Sequence, residues 1–553
     1  MNAPNTKHAN ETRPMLTAER RATAIYQAPS DYLDKPDAIV IGSGIGGLGV
    51  ASFLAQRRGM RVLVLEANVV PGGCTHVHEI DGFEFPSGLD SVGDMDAAVG
   101  RGMNRPNMDA ATGGKLAWAK MPDVHEICTF GDDVYEWHSS PEANLEWLDR
   151  RFPGDGDVRG YYQLEDRVEA NAWAWALTKL YPEWMPEGMR DMLYKTTGRR
   201  WRNAMRENAM SVLTRRLGFS PKLAAVFSYM YGNYGRLPHD APFGMHATFL
   251  AHYRHGAYYP VGGPGQIAQC IVPIVEGAGG QVAVRSAVAK ILVENNRAIG
   301  VRLENGAEIR APLVISDAGA HTTFVELLDP EIAAAHGLVQ RFAGVRSSPA
   351  HLYLMLGFDE PLDLPKHIVW HMPRGAGLDP YDLAAADARW KDAMRFEDMA
   401  CYILSPSARD PAHAQRYPNK STIMALAECR PEWVERIRRD KKLEADFVSG
   451  VAASLGDIIA RYAPAIRGKT PALVRAGAPM GCNPRAWNAG SYGVELAPER
   501  FFAQTHWLRP RTPIKGLFLT GQDAFLPGIC GSLLAARFTY AAAASDPLFL
   551  LAH

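Results

Sequence analysis

The chain predicts a mixed α/β fold, α+β in its middle, and three observations carry that expectation. A short apolar run, Asp37–Ile41, leads directly into a glycine-rich turn, a helix-period segment and a second apolar run, Arg61–Glu66. The pattern then changes at Gly277, from mostly helical over residues 115–255 to strand-like beyond. The 553 residues are 47% hydrophobic and 22% charged, a globular composition that excludes disordered and fibrous architectures. That length holds about three to four domain-sized units, or two large discontinuous ones. With 59 Lys and Arg against 60 Asp and Glu, no global field recruits nucleic acid or anionic lipid, so any basic patch must be local.

Residues 1–36 read as a polar arm with a short helix near Leu16–Tyr26. The arm lacks an apolar signal core, and seven scattered cysteines without a C-x-x-C pair suit a reducing compartment, so the chain reads as cytoplasmic. Asp37–Ile41 is a strand buried on both faces. Residues 38–55 carry no charge over 18 positions, which imitates a membrane span, but five glycines lower hydropathy and helix propensity together. The better reading is strand, turn and helix. Ile45, Leu48, Ala51 and Ala55 share one helix face, Arg57 and Arg58 fill the last turn, and Gly59 stops it. Arg61–Glu66 closes one βαβ unit. Further on, Gln281–Val284, Val288–Glu294, Ala298–Leu303 and Glu308–Arg310 read as strands, with Asn305-Gly306 as a hairpin turn. Leu313–Asp317 is another buried run. Residues 335–500 mix strands such as His351–Phe358 with helices in no predictable order. Gly516–Asp523 is a strand entering a loop, and the uncharged stretch Ala524–Ala536 opens a helix over about Gly528–Ala544.

The chemistry lies first in Gly42-Ser-Gly44-Ile-Gly-Gly47. A G-x-G-x-x-G match alone is weak, but here it joins a strand to a helix. Gly42 permits the tight turn, Gly44 lets backbone approach a pyrophosphate, and Gly47 lets helix pack on sheet. The pyrophosphate would sit at the positive end of the helix dipole. Glu66, at the end of the next strand, is placed to accept hydrogen bonds from an adenosine ribose, and its charge would repel a 2′-phosphate. Dinucleotide binding follows; NAD or FAD stays open at this level. A second glycine pair, Gly72-Gly73, and the distant Thr520-Gly521-Gln522-Asp523 suit an extended cofactor.

The chain resembles the flavoprotein family of retinol saturase, carotenoid isomerase and phytoene desaturase. The resembling stretches are IGSGIGGLGVASFLAQ, VLVLEANVVPGGCTH and DGFEFPSGLDSVG within 41–93. A middle block runs from YGNYGRLPHDAPFGMHATFLAHYRHGAYYPVGGPGQIA to GVRLENGAEIRAPLVISDAG within 231–319, and RPRTPIKGLFLTGQDAFLPGICGSLLAA occupies 509–536. Together they cover a little under half of the chain in family order. The resemblance implies a Rossmann-like FAD-binding domain with an inserted mixed-sheet and helical substrate domain, as in the amine oxidase and phytoene desaturase superfamily. It divides the chain into FAD-binding parts 37–110, 256–330 and 501–553, a largely helical, possible membrane-facing region 111–255, and a substrate domain 331–500. Gly42, Ser43, Gly44, Gly47, Glu66 and Ala67 would hold the ADP half, with Gly72 and Gly73 passing close by. Val288 would give backbone contacts near adenine. Gly521 and Asp523 would meet the pyrophosphate and ribityl chain, and Ile529 to Gly531 would lie beneath the isoalloxazine. One stretch departs from the family: in Phe85-Pro-Ser-Gly-Leu-Asp-Ser-Val-Gly93, Pro86 replaces an acid and Asp90 replaces a histidine beside the flavin.

Asp90 is therefore the leading acid–base candidate, with Tyr259 and His76 behind it; a helix-cap or turn role for Asp90 is the alternative. His76 and His78 lack a third clustered ligand, so no metal is expected. No G-x-S-x-G nucleophile elbow occurs. Residues 185–222 hold nine Lys and Arg against three Asp and Glu, with five methionines. Either this is a solvated face over a Met-padded core, or it docks peripherally on the inner face of the cytoplasmic membrane. The expected activity is FAD-dependent desaturation or saturation of a carbon–carbon bond in a long apolar lipid: a carotenoid, a retinoid-like polyene or an unsaturated fatty acyl chain. The electron acceptor or donor and the oligomeric state are not written in the residues. Flavin-assisted isomerisation, an NAD-dependent dehydrogenase and a non-enzymatic lipid carrier of the same fold are the rivals.

Overall fold

The computed structural model describes residues 29–96, 103–182, 184–373, 379–393, 398–477, 487–501 and 507–551. The expected Leu16–Tyr26 helix lies outside them. At the centre is a five-stranded parallel sheet. Its strands are β1 (Ala38–Ile41), β2 (Val62–Leu65), β3 (Gln281–Ala283), β4 (Val314–Ser316) and β5 (Leu517–Leu519), in the order β3-β2-β1-β4-β5. Every residue of β1 and β2 is buried, as a parallel strand covered on both faces must be. Strands from three distant parts of the chain thus meet in one sheet.

Helix α1 (Ile45–Arg58) follows β1. It ends where Gly59 turns left-handed, at φ 61°, and returns its N–H to the carbonyls of Ala55 and Leu54. Helix α2 (Gly528–Ala543) packs on α1. A Cβ on Gly49 would fall 2.7 Å from Leu533, so the two helices approach more closely than an alanine allows. Past its uncharged start α2 carries Arg537, 1% exposed, which donates to Asn107 Oδ1 and to the Phe549 carbonyl at 2.7 Å each.

Beside this sheet, Val288–Glu294, Arg297–Leu303 and Glu308–Arg310 form an antiparallel three-stranded sheet. A seven-stranded sheet lies further along. Its order is Leu473–Gly477, Ala350–Phe358, Ser421–Cys429, Cys401–Leu404, Ile368–Met372, Val124–Phe130, Asp133–His138. It is antiparallel except where Ile368–Met372 runs parallel to Val124–Phe130. A second core fills the space between it and the helix Lys441–Tyr462, through Leu354 and Ile423 against Val451, Leu455 and Ile458. The hairpin Val124–His138 corrects the helical reading of residues 115–255, whose helices include Val158–Leu177 and Phe243–Tyr253. Its turn lies at Gly131, which adopts φ 60°, and Val124–Phe130 is mostly buried without the alternation that would mark a strand in sequence. Ala257–Pro260 is a strand and pairs with Trp118–Lys120 and Val92–Gly93. No helix among the described residues is long and apolar enough to cross a membrane.

Candidate active site

The turn after β1 is built to bring backbone close to a ligand. Gly42 adopts φ 92° and donates its N–H to the Leu65 carbonyl at 2.8 Å, which pulls the turn tight over the sheet. A Cβ on Gly47 would lie 2.2 Å from the Gly42 carbonyl oxygen, so only glycine lets the helix start there. Added Cβ atoms on Gly44, Gly46 and Gly521 would each fall within 2.6 Å of a carboxylate oxygen of Asp317. One on Gly73 would lie 2.8 Å from Gly44 Cα. Four glycines from three distant stretches therefore converge on the first turn of α1. Gly44 offers no capping side chain and the turn has no acid of its own, but the Asp317 carboxylate bonds its Gly47 amide, so the positive end of the helix dipole already faces one acid.

Three carboxylates surround this surface. Glu66, 6% exposed, accepts the Ser43 amide at 2.9 Å and hydroxyl at 2.6 Å on Oε2, and the Asn68 amide at 2.7 Å on Oε1. Ser43 Oγ in turn accepts the Gly72 amide at 3.2 Å, which ties Glu66 to the second glycine pair. Asp523 accepts the amides of Ala320 at 2.7 Å and Val494 at 2.8 Å, and so joins three loops. Asp317 accepts the Gly47 amide at 2.9 Å. Burial pushes the Asp317 carboxyl up to about 7 against the pull of that hydrogen bond, and the charges of Glu66 and Asp523 push the same way.

From this surface a cavity of about 1180 Å³ runs into the protein. Gly42, Gly44, Glu66, Ala67, Gly73, Val288, Asp523, Ile529 and Gly531 stand on its wall at the glycine end and along its course, with Asp90 among them. Ser43, Gly47, Gly72 and Gly521 stand one layer behind. The far end is made by Ala172, Trp173 and Ala176 of one helix and Met245, Thr248 and Phe249 of another. Trp173 stacks on Phe538 of α2 with ring centroids 5.9 Å apart. Tyr402, His351 and Tyr492 line the side nearest the large sheet. This end is rich in apolar and aromatic side chains, with Asp166 and Glu169 of the first helix also on its wall.

Asp90 keeps some accessible surface, and that surface faces the cavity while the carboxyl itself sits deep in the protein. Burial raises its pKa; the nearby Arg409 charge and the Ser91 amide, which donates to Oδ1 at 2.6 Å, oppose the rise. His76 and Tyr259 are not on the wall. Tyr259 is 1% exposed and lies under the Arg409 guanidinium, 5.6 Å from its ring centroid. His76 donates from Nδ1 to the Gly73 carbonyl and accepts from Ser87 Oγ at Nε2, 2.9 Å away; Ser87 also meets His78 Nε2 at 2.9 Å. Burial holds both imidazoles below their ordinary pKa, His78 at about 4, so this is a neutral chain bracing the cavity-lining Ser87 against Gly73.

Several cavity residues escaped the sequence reading. Asp317 sits one residue past a strand that was read only as a buried run. His252 accepts the Gly93 amide at 2.9 Å and meets the Asn104 amide at 3.0 Å; burial lowers its pKa to about 4. Asp94 beside it is raised to about 6 by burial. Two expectations need correction. Cys74, on the wall, is disulfide-bonded, so the cysteines are not uniformly reduced; Cys128, Cys270, Cys401 and Cys530 are free thiols. Arg202, within the basic stretch, is 4% exposed and donates to the carbonyls of Tyr194 at 2.7 Å and Phe501 at 3.3 Å, so it belongs to the interior.

A family profile described as an NAD(P)-binding Rossmann-like domain matches residues 40–96. The chain is similar to the all-trans-retinol 13,14-reductase of Danio rerio, 31% identical over 530 residues that cover 90% of this chain and 84% of that protein. It is 26% identical to the neurosporene-forming phytoene desaturase of Cereibacter sphaeroides over 543 residues, 90% of this chain and 93% of that one. Among solved structures, cyclohexylamine oxidase from Brevibacterium oxydans aligns with a TM-score of 0.57 at 13% identity, covering 92% of this chain and 98% of that chain, a likeness of fold.

Proposed function

This chain belongs to the all-trans-retinol 13,14-reductase family, and from that premise we propose that it is an FAD-dependent oxidoreductase that saturates or desaturates a carbon–carbon bond of a carotenoid- or retinoid-like polyene. The observation that carries this reading is one cavity that joins a glycine-lined helix start to a wall rich in apolar and aromatic side chains, Trp173, Met245 and Phe249 among them. A dinucleotide cofactor suits the first end, because glycines let the backbone of the helix start approach it, and Asp317, bonded to Gly47 and raised by burial, can meet it protonated. A long hydrocarbon fits the second.

When bound, FAD supplies two-electron hydride chemistry. The protein does the rest. Gly42 and Gly44 would seat the pyrophosphate, Gly47 lets the helix start close behind them, and Glu66, held in place by Ser43 and Asn68, would accept from the ribose. Gly73, Val288, Asp523 and the start of α2 at Ile529–Gly531 complete the cofactor wall. Trp173 and Phe249 align the hydrocarbon and exclude water. An alkene or alkane carbon exchanges hydride only if a proton moves with it, and Asp90 is the cavity-facing carboxyl raised by desolvation toward such a role.

The membrane is the expected source of such a substrate. Trp173, which lines the cavity, Leu177 at the end of the same helix, and Trp184, Met189 and Met192 further along the chain are exposed hydrophobics, with exposed Lys195, Arg199 and Arg200 following. A peripheral contact made by 173–200, with Arg202 left out of it, suits extraction of an apolar molecule. Two measurements test the reading: release of FAD from purified yellow protein on denaturation, and lipid profiles of cells with and without the protein. Colourless protein, or an unchanged polyene profile, overturns it.

A further inference from the structure

Behind Asp90 lies a cluster of buried charges that cofactor binding does not use. Glu126, 1% exposed on Val124–Phe130, accepts at Oε2 from Tyr229 at 2.7 Å and from Trp370 Nε1 at 3.1 Å. Arg409, 2% exposed on the short helix Pro406–Arg409, reaches one carbonyl, that of Lys366, at 3.3 Å. Its Nε and Nη2, and Ser91 Oγ beside Asp90, are fully buried with no hydrogen-bond partner among the described residues. Asp90, Glu126 and Arg409 lie close enough that each feels the charge of the other two.

The charges do not balance if both acids ionise. Two carboxylates against one guanidinium leave a net negative charge in an interior that opposes it. The neighbouring groups do not supply the missing positive charge: Arg416, which faces Tyr259 together with Arg409, is already paired with both Glu84 and Asp410. Burial holds His125 at about 4 and lowers His367, so both imidazoles beside Arg409 are neutral. The phenols facing the cluster, Tyr229, Tyr253, Tyr259, Tyr402 and Tyr492, are all raised by burial and stay protonated.

We propose that Asp90, Glu126 and Arg409 form a buried reservoir holding one proton beside the cavity, with Asp90 as its outlet to the substrate. Glu126 and Arg409 are positioning residues that act through Asp90. The unpartnered Arg409 and Ser91 groups are suited to bond an interior water that passes the proton between the two acids. Arg409 is the fixed charge that lets one acid, and only one, ionise. The direction agrees with the desolvation that raises Glu126 to about 8, above Asp317 and Asp94.

The use of the reservoir rests on the polyene reading. In saturation, one alkene carbon takes a hydride from the bound reduced flavin while the other takes the proton of Asp90. The π bond, the carboxyl O–H bond and the bond that held the hydride on the reduced flavin would break and two C–H bonds would form, the flavin losing two electrons as the alkene gains them. Asp90 is left as a carboxylate facing Arg409, and the proton is replaced from solvent by way of Glu126. Desaturation reverses each transfer.

The reservoir itself is testable without flavin or substrate. Infrared difference spectra of flavin-free protein report the carbonyl stretch of a protonated carboxylic acid. The expected result is one such band from the cluster at neutral pH, fading as pH rises through about 8. Glu126→Gln and Asp90→Asn each leave one carboxylate with Arg409, so both should remove the band; both are near-isosteric. Arg409→Lys should keep a single band, and Arg409→Met should give two; if the Met variant does not fold, the Lys variant carries this arm. A wild type without the band, or a band untouched by Glu126→Gln, overturns the reservoir. With the band confirmed, single-turnover rates of the flavin-loaded enzyme should lose their dependence on pH near 8 in Glu126→Gln. A protein with the band but no flavin keeps the reservoir and refutes the polyene reading alone.

Discussion

At one end the cavity is walled by backbone, with Gly42, Gly44 and Gly73 in front of Glu66; at the other it is walled by side chains, Trp173, Met245 and Phe249 among them. The first end tolerates almost no substitution, because a single added carbon on Gly44 or Gly521 would meet Asp317. The second can change shape residue by residue while staying apolar. One molecule thus separates a fixed cofactor surface from an adaptable hydrocarbon surface, and the proton-bearing groups lie where the two meet.

Gly44→Val breaks the comparison at its rigid end and carries the largest expected effect. Its branched side chain enters the cradle beside Asp317 Oδ2, which lies 2.5 Å from where the first carbon would be. The variant should fold yet purify without flavin and without activity. Flavin absorbance at wild-type occupancy would remove the cofactor assignment.

Asp90→Asn tests the junction. It keeps shape and most hydrogen bonding but cannot give up a proton, so single-turnover flavin oxidation or reduction by the polyene should slow by about 10²–10⁴-fold at equal flavin content. A rate within a few-fold of wild type would leave Asp90 structural.

Asp317→Asn sharpens the rigid end and should have a smaller effect of opposite sign. Folding raises the Asp317 pKa to about 7, so the native state favours its protonated form. Its contribution to stability is full below about pH 4 and is lost as pH rises through about 7. Asparagine can still accept from Gly47 but carries no charge at any pH. The melting temperature of flavin-free Asp317→Asn should therefore match wild type near about pH 4 and exceed it above about pH 7. Flavin, itself anionic, should bind the variant roughly tenfold more tightly at high pH, about 1.4 kcal/mol. Equal melting curves at both pH values would contradict the buried-acid account.

The rigid end was legible in the sequence and the adaptable end was not, for a physical reason. Gly42, Gly44, Gly47 and Glu66 act through backbone geometry at fixed spacing within one βαβ unit, and spacing is what a sequence displays. Val288–Glu294 and the Asn305-Gly306 hairpin were readable for the same local reason. Asp317 escaped because its importance comes from facing Gly44 and Gly521, about 200 or more residues away on either side. Glu126, Tyr402 and His351 lie on three different strands whose order in the seven-stranded sheet no periodicity encodes, and Arg409 lies on the short helix after the Tyr402 strand. Arg202 looked like part of a basic face because composition cannot tell a buried arginine capping two carbonyls from an exposed one.

The smallest expected effect probes the adaptable end from outside. If the helical lobe meets a bilayer, attraction comes from exposed Lys195, Arg199 and Arg200 and from the insertion of Trp184, which is 80% exposed. Each Lys or Arg near an anionic surface is worth roughly 1 kcal/mol, so Arg199→Glu with Arg200→Glu should weaken vesicle binding by about 30-fold or more. Trp184→Ala should weaken it further on anionic and neutral vesicles alike, because its share is hydrophobic. Added salt should reduce the arginine contribution and leave the tryptophan contribution in place. Arg202→Glu is unsuitable for this assay, since it would strand a charge in the interior and unfold the lobe. Neither change touches the glycine cradle, so flavin content should stay at wild-type level in both. Sedimentation with anionic vesicles that is unaltered by the double arginine variant and by Trp184→Ala would make this face an ordinary solvated surface. The polyene would then have to reach Trp173 by a route other than the membrane.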